Sequence, residues 1–152
     1  MAYVAGEARQ ELLDELGKAI DHIASALAAL AEAYEQLGTR PADRLEEELF
    51  GPVQAAYGRA KRTHAGFARR HDLPDRAFDP APPGLPSTGV RGFVDSAVAS
   101  VAEADAVLAE LQDSMMPVEV GDPELRAGLS EVRELLGEVS GRAREFTRTL
   151  GR

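Results

Sequence analysis

Residues 13–37 read LDELGKAIDHIASALAALAEAYEQL, and the spacing within them decides the fold. Apolar side chains fall at Leu13, Leu16, Ile20, Ile23, Leu27, Leu30, Tyr34 and Leu37, in alternating steps of three and four. An α-helix turns once every 3.6 residues, so these positions stack along one face. This is the a/d pattern by which near-parallel helices interlock. Ala19, Ala26 and Ala33 flank one side of the stripe and Ala24 and Ala31 the other, small enough for a neighbouring helix to come close.

Outward from this stretch the same period returns twice. Val90, Val94, Ala97, Val101, Ala104, Leu108, Leu111 and Met115 form one stripe; Leu125, Leu129, Val132, Leu136, Val139, Ala143, Phe146 and Leu150 form another. A weaker stripe lies between them, at Leu49, Val53, Ala56, Ala60, Thr63 and Phe67 with Leu45 just ahead. Gly51-Pro52 interrupts it, because proline removes a helical hydrogen bond and clashes with the turn before it. The spacing predicts helices near residues 5–38, 41–72 (kinked at Gly51-Pro52), 88–116 and 122–150. Gly38 is expected to take a left-handed C-terminal cap and Pro41 to sit in a first turn. Ser87 or Thr88 should cap the third helix, Pro117 should stop it, and Asp122-Pro123 should open the fourth. Residues 73–88 hold Pro74, Pro80, Pro82, Pro83 and Pro86, which predicts a semi-extended connection. The expected architecture is one all-α domain over residues 1–152, an up-and-down antiparallel four-helix bundle whose middle connection could instead cross the bundle's end.

Composition narrows the chemistry. A chain of 152 residues with 44% hydrophobic residues can bury a continuous core, and 5% aromatics without Trp make that core aliphatic. The lack of Cys excludes disulfides, thiolate metal sites, Cys nucleophiles and covalent haem. No run approaches the ~20 apolar residues of a membrane span. Charged residues from Glu7 to Lys18 occupy the place of a signal peptide's apolar run, so the expectation is a cytoplasmic protein without membrane contact. A net charge of −9 argues against a general nucleic-acid binder, since a polyanion is repelled at long range.

None of the stripe positions is Asp, Glu, His or Lys. A di-iron bundle needs inward Glu and Glu-x-x-His pairs, but Ala19, Lys61 and Ala68 precede His22, His64 and His71 by three. His22 lies on the outer face of the first helix. The expectation is therefore a core without metal or cofactor.

The remaining candidates flank the stripes. Phe50, Tyr57, His64 and His71 recur every seven residues and form one column on the edge of the second helix. The column reads as a flank where amphipathic rings cover the seam, or as a groove with an aromatic floor and two imidazoles. Arg59 and His64, with four residues between them, resemble the catalytic motif of HEPN ribonucleases. That resemblance implies a pair contacting the scissile phosphate and assisting proton transfer, although Ala60 stands where the family has a polar residue. Glu11-x-x-Asp14, Glu32-x-x-Glu35, Glu110-x-x-Asp113 and Glu131-x-x-Glu134 resemble fragments of the Mg²⁺ sites of all-α nucleotide pyrophosphohydrolases. No ExxD follows Glu32-x-x-Glu35 until Glu110, so these read as solvated helix faces.

Two basic stretches stand out: Arg59, Lys61, Arg62, Arg69 and Arg70, and then Arg142, Arg144, Arg148 and Arg152. In strict up-down-up-down order the two would meet at one end. Cations near helix C-termini compensate the macrodipole, at ~0.3–1 kcal/mol each. The functional alternative is an anion site built from Arg59, Arg62, His64, Arg69, Arg70, Arg144 and Arg148. The leading expectation is a non-enzymatic helical interaction module that binds a protein partner or a second copy, with no catalytic residue assigned. The alternative is a phosphate-directed activity at the basic end, RNA cleavage or nucleotide binding, through Arg59, Arg62 and His64.

Overall fold

A computed structural model describes residues 2–79, 81–82 and 88–150, and among them helices are the only regular structure. The first, α1 (Ala2–Glu35), is about 50 Å long. Its last turn tightens through Gln36 N–H to the Ala33 carbonyl and Leu37 N–H to the Tyr34 carbonyl. Gly38 is then extended (φ −71°, ψ 171°) and leads directly into α2 (Thr39–Leu45). The left-handed cap expected at Gly38 is absent, because the tightened turn already satisfies the end of α1 and the next helix begins at once.

At Gly51-Pro52 the chain widens into a π turn (Glu46–Phe50) and continues as α3 (Gly51–Arg70). The Gly51 amide donates to the Glu46 carbonyl five residues back. That oxygen lies 3.2 Å from where a Cβ on Gly51 would sit. One extra residue per turn carries the helix past a proline that has no N–H to give, so the expected kink takes the form of a π bulge. After α3, Asp72 adopts left-handed φ 54° and Leu73 N–H returns to the Ala68 carbonyl, a Schellman-type stop with Asp in the glycine place.

The next helix, α4 (Gly89–Asp113), starts without a side-chain cap from Thr88, and Ser87 lies outside the described residues. It ends before Pro117 rather than at it: Ser114 Oγ donates to the Leu111 carbonyl and Met115 turns left-handed. Pro117 instead sits in the first turn of the short α5 (Met116–Val120), the position where its missing N–H costs nothing. Asp122 caps α6 (Pro123–Gly137) by accepting the Leu125 amide, and Glu138 alone separates α6 from α7 (Val139–Leu150).

Cross-contacts give the direction of every arm. Ala24 and Ala31 of α1 sit beside Tyr57 of α3 and Phe50 of the π turn, and Glu11 and His22 of α1 lie beside Glu110 and Glu103 of α4. Arg44, Arg59 and Arg70 meet Thr149, Glu131 and Asp122 in turn. Asp105 and Arg91 of α4 meet Arg133 and Thr147. Each arm is thus antiparallel to both neighbours in the ring α1, α3, α6–α7, α4. It follows that α3 and α4 point the same way, and the strict up-down-up-down order does not hold. The proline-rich connection has the reach to return along the bundle, since at about 3.1 Å per residue a dozen residues cover ~40 Å.

The core follows three of the stripes closely, with Phe67, Phe93 and Phe146 as its largest side chains. In α1 the buried face is turned from the expected one. Leu12, Ala19, Ala26 and Ala33 are fully buried, whereas Leu27 is half-buried and Tyr34 is 37% exposed. A straight helix falls about 20° behind a seven-residue repeat at every heptad, so the Leu13 column rotates out of the core along its length. Met115, also expected inside, is exposed in its left-handed turn. Among the described residues no helix is long and apolar enough to cross a membrane.

Candidate functional site

The seam between α1 and α3 is covered at the C-terminal end of α3 by the segment that follows it. Gly17, buried in the middle of α1, leaves room for this strap: a Cβ there would lie 3.0 Å from Arg76 Nη1 and 3.9 Å from the Phe78 ring. Arg76 Nη2 donates to both Asp21 oxygens, at 2.8 and 3.0 Å, while its guanidinium lies over the Phe78 ring at 4.4 Å. Phe78 in turn meets the His64 ring edge-on at 4.9 Å. His64 is buried, and its Nδ1 has no hydrogen-bond partner. Asp75 Oδ1 stands 3.4 Å away, within ion-pair range but without hydrogen-bond geometry. Burial lowers the His64 pKa and outweighs the opposing pull of Asp75, so the ring is neutral at pH 7.

Further along, toward the α2 end, the described residues leave the same seam open. A cavity of about 330 Å³ is bounded by Ala24, Leu27, Ala28 and Ala31 of α1 and by Phe50 and Tyr57. Glu32 stands at its rim and Ala81 of the strap at its lower lip. A second hollow of about 250 Å³, between Ala31, Tyr34, Glu35, Glu46 and Phe50, continues it, so the two form one groove. Its floor is methyl groups and aromatic faces, and its outer rim is acidic. Burial, with Asp21 and Asp79 adding to it, raises the Tyr57 pKa, so the phenol keeps its proton. The Lys61 ammonium lies over the Tyr57 ring at 4.1 Å.

The residues of the expected anion site are not gathered. Arg59 pairs with Glu131 and donates to Thr63 Oγ1, on the side of α3 that faces α6. His64, five residues on and therefore about 140° around the helix, faces the strap. The ribonuclease-like pair thus does not share a surface. Arg62 and Arg69 are exposed. Arg70 donates to Asp122 at 2.9 and 3.0 Å and to Glu124 at 2.6 Å, and His71 Nε2 lies 2.9 Å from Asp122. The anion at that helix N-terminus is the chain's own carboxylate. Burial alone would push the Asp122 carboxyl up, but hydrogen bonds from Arg70, the Leu125 amide and His71 outweigh it and hold the pKa below the ordinary value.

Arg144 and Arg148 lie near the other end of the bundle, because α3 and α6–α7 are antiparallel. The run from Asp122 to Arg148 spans about 40 Å. There they line a hollow of about 560 Å³ with Arg91, Asp95, Ser140 and Thr147, and Arg148 pairs with Glu145. His22, placed by its spacing on an outer face, lies at the α1–α4 seam with Nδ1 3.1 Å from Glu103. Among the described residues no three His, Asp or Glu side chains gather to hold a metal ion.

Sequence reasoning found Phe50, Tyr57 and His64 as one column but missed Gly17, Arg76 and Phe78. The signal was there in part: a glycine in the middle of a strong helix marks a close approach. No family model, curated protein or solved structure matches this chain.

Proposed function

We propose that the chain is a non-enzymatic four-helix interaction module that docks a protein partner in the open part of the α1–α3 groove. The observation that carries this reading is the groove itself: an apolar floor about three helical turns long, from Ala24 to Glu35, beside a half-buried Leu27 and an exposed Tyr34. Methyl groups on the floor let a partner come close, and apolar area buried there supplies the attraction, ~25 cal/mol per Å². The rim charges Glu32, Glu35 and Glu46 favour a partner that flanks its apolar residues with Lys or Arg. They disfavour a second copy of the chain, which carries −9 itself.

The test is titration with a helical peptide carrying a leucine stripe between lysines, against wild type and Ala28→Arg. Saturable binding that the substitution removes, at unchanged thermal stability, is expected. Equal binding by both proteins would contradict the reading.

A separate observation favours a second one. Arg91 joins Arg144 and Arg148 around one hollow between α4 and α7, where an anionic partner would meet three guanidinium groups and one carboxylate. Inorganic triphosphate titrated at low salt should bind weakly there and lose affinity in Arg91→Ala/Arg144→Ala. No difference between the two proteins would return these arginines to solvation.

A further inference from the structure

The strap displays, within the chain, how this seam holds a guest. Phe78 seats its ring over a small residue of α1, Gly17, against a ring of α3, His64. Two residues earlier, Arg76 covers that ring and grips Asp21, one turn along from Gly17. Eleven residues make three helical turns to within about 20°. One such step along α1 carries Gly17 to Ala28 and Asp21 to Glu32, on the same face. Across the seam the seven-residue column passes from His64 and Tyr57 of α3 to Phe50 of the π turn. The residues reached by this step are those around the open cavity: a small residue, a carboxylate four positions on, and aromatic rings opposite.

We propose that the cavity binds an extended peptide segment of a protein partner in which an arginine precedes an aromatic residue by two. The aromatic ring would lie over Ala28 between Tyr57 and Phe50, and the guanidinium would reach Glu32. Ala28 carries a methyl where Gly17 has none, so the guest sits slightly higher than Phe78 does. Glu35 and Glu46 add attraction for the cation, and Lys61, over the Tyr57 ring, opposes it. This rests on the docking reading above and names the recognition chemistry within it.

The probe is a capped pentapeptide in the order alanine, arginine, alanine, phenylalanine, alanine, titrated into the full chain while backbone amides are followed by NMR. The result expected is saturable shifts within Ala24–Glu32 and Phe50–Tyr57. Replacing either the arginine or the phenylalanine of the peptide should weaken binding. Glu32→Gln should weaken it about two- to fivefold, the scale of a partly exposed ion pair, and leave thermal stability unchanged. Shifts centred instead on Gly17, Asp21 and His64 would mean exchange with the strap and would overturn the proposal. If the leucine-striped helical peptide saturates these residues and the pentapeptide does not, the docking reading stands and this one falls. Failure of both peptides overturns both.

Discussion

Asp122 receives more hydrogen bonds than any other carboxylate described here: two from Arg70, one from the Leu125 amide and one shared with His71. Removing it uncaps α6 and leaves Arg70 without its buried partner. Asp122→Ala should therefore cost about 1–3 kcal/mol in denaturant unfolding. Its lowered pKa contributes stability that is complete above the unfolded value, about 3.9, and is lost as pH falls through the folded value. His64 acts in a higher window. Folding holds its ring neutral, so the unfolded chain binds a proton first, and stability declines as pH falls below about 6.5. Urea midpoints measured from pH 7.5 to 5 should fall for wild type and flatten in His64→Leu; equal slopes would contradict the assignment. Gly128 makes a steric prediction. A Cβ there would collide with Thr63, whose hydroxyl is already committed to the Arg59 carbonyl and guanidinium. Gly128→Ala should cost about 1–3 kcal/mol, and adding Thr63→Ala should recover part of it. A neutral Gly128→Ala would show that α3 and α6 are less closely apposed.

At the scale of the element, the drift of α1 separates two leucines that look alike in the sequence. Leu30 is buried and Leu27 lines the groove. Leu30→Ala should cost about 2–5 kcal/mol by denaturant unfolding, and Leu27→Ala roughly 1 kcal/mol for its smaller loss of buried area. Equal costs would return α1 to the phase its spacing predicts. The reason that phase does not hold is physical: a repeat of seven marks a face, but which flank of it stays inside depends on how straight the helix runs. Asp122 was legible as a cap because the Asp-Pro pair is a local signal, and Gly51-Pro52 was legible as a disturbance though not as a π turn. The strap was not legible. Arg76 and Phe78 lie in an aperiodic proline-rich stretch, and their partners Gly17, Asp21 and His64 become neighbours only after the chain has folded back. The seven-residue column showed where rings line up along α3; which of them stay open depends on how far the strap reaches.

For the molecule as a whole, the direction of α4 matters most. A long connection permits either direction, so neither the stripes nor the caps decide it. With α3 and α4 parallel, the basic residues of α3 and α7 lie near opposite ends, each beside acidic neighbours, and the described part of the strap covers one end of the α1–α3 seam and leaves the other open. With alternating directions, the basic stretches would share an end and the strap would have no reason to lie along α1. The chain has no Cys, so two introduced thiols can be spin-labelled without background. The measurement is the dipolar distance between labels at Arg69→Cys and Arg148→Cys in the full chain. The arrangement described here predicts about 35–40 Å, and a distance below about 20 Å, two adjacent helix ends at one pole of the bundle, would contradict it.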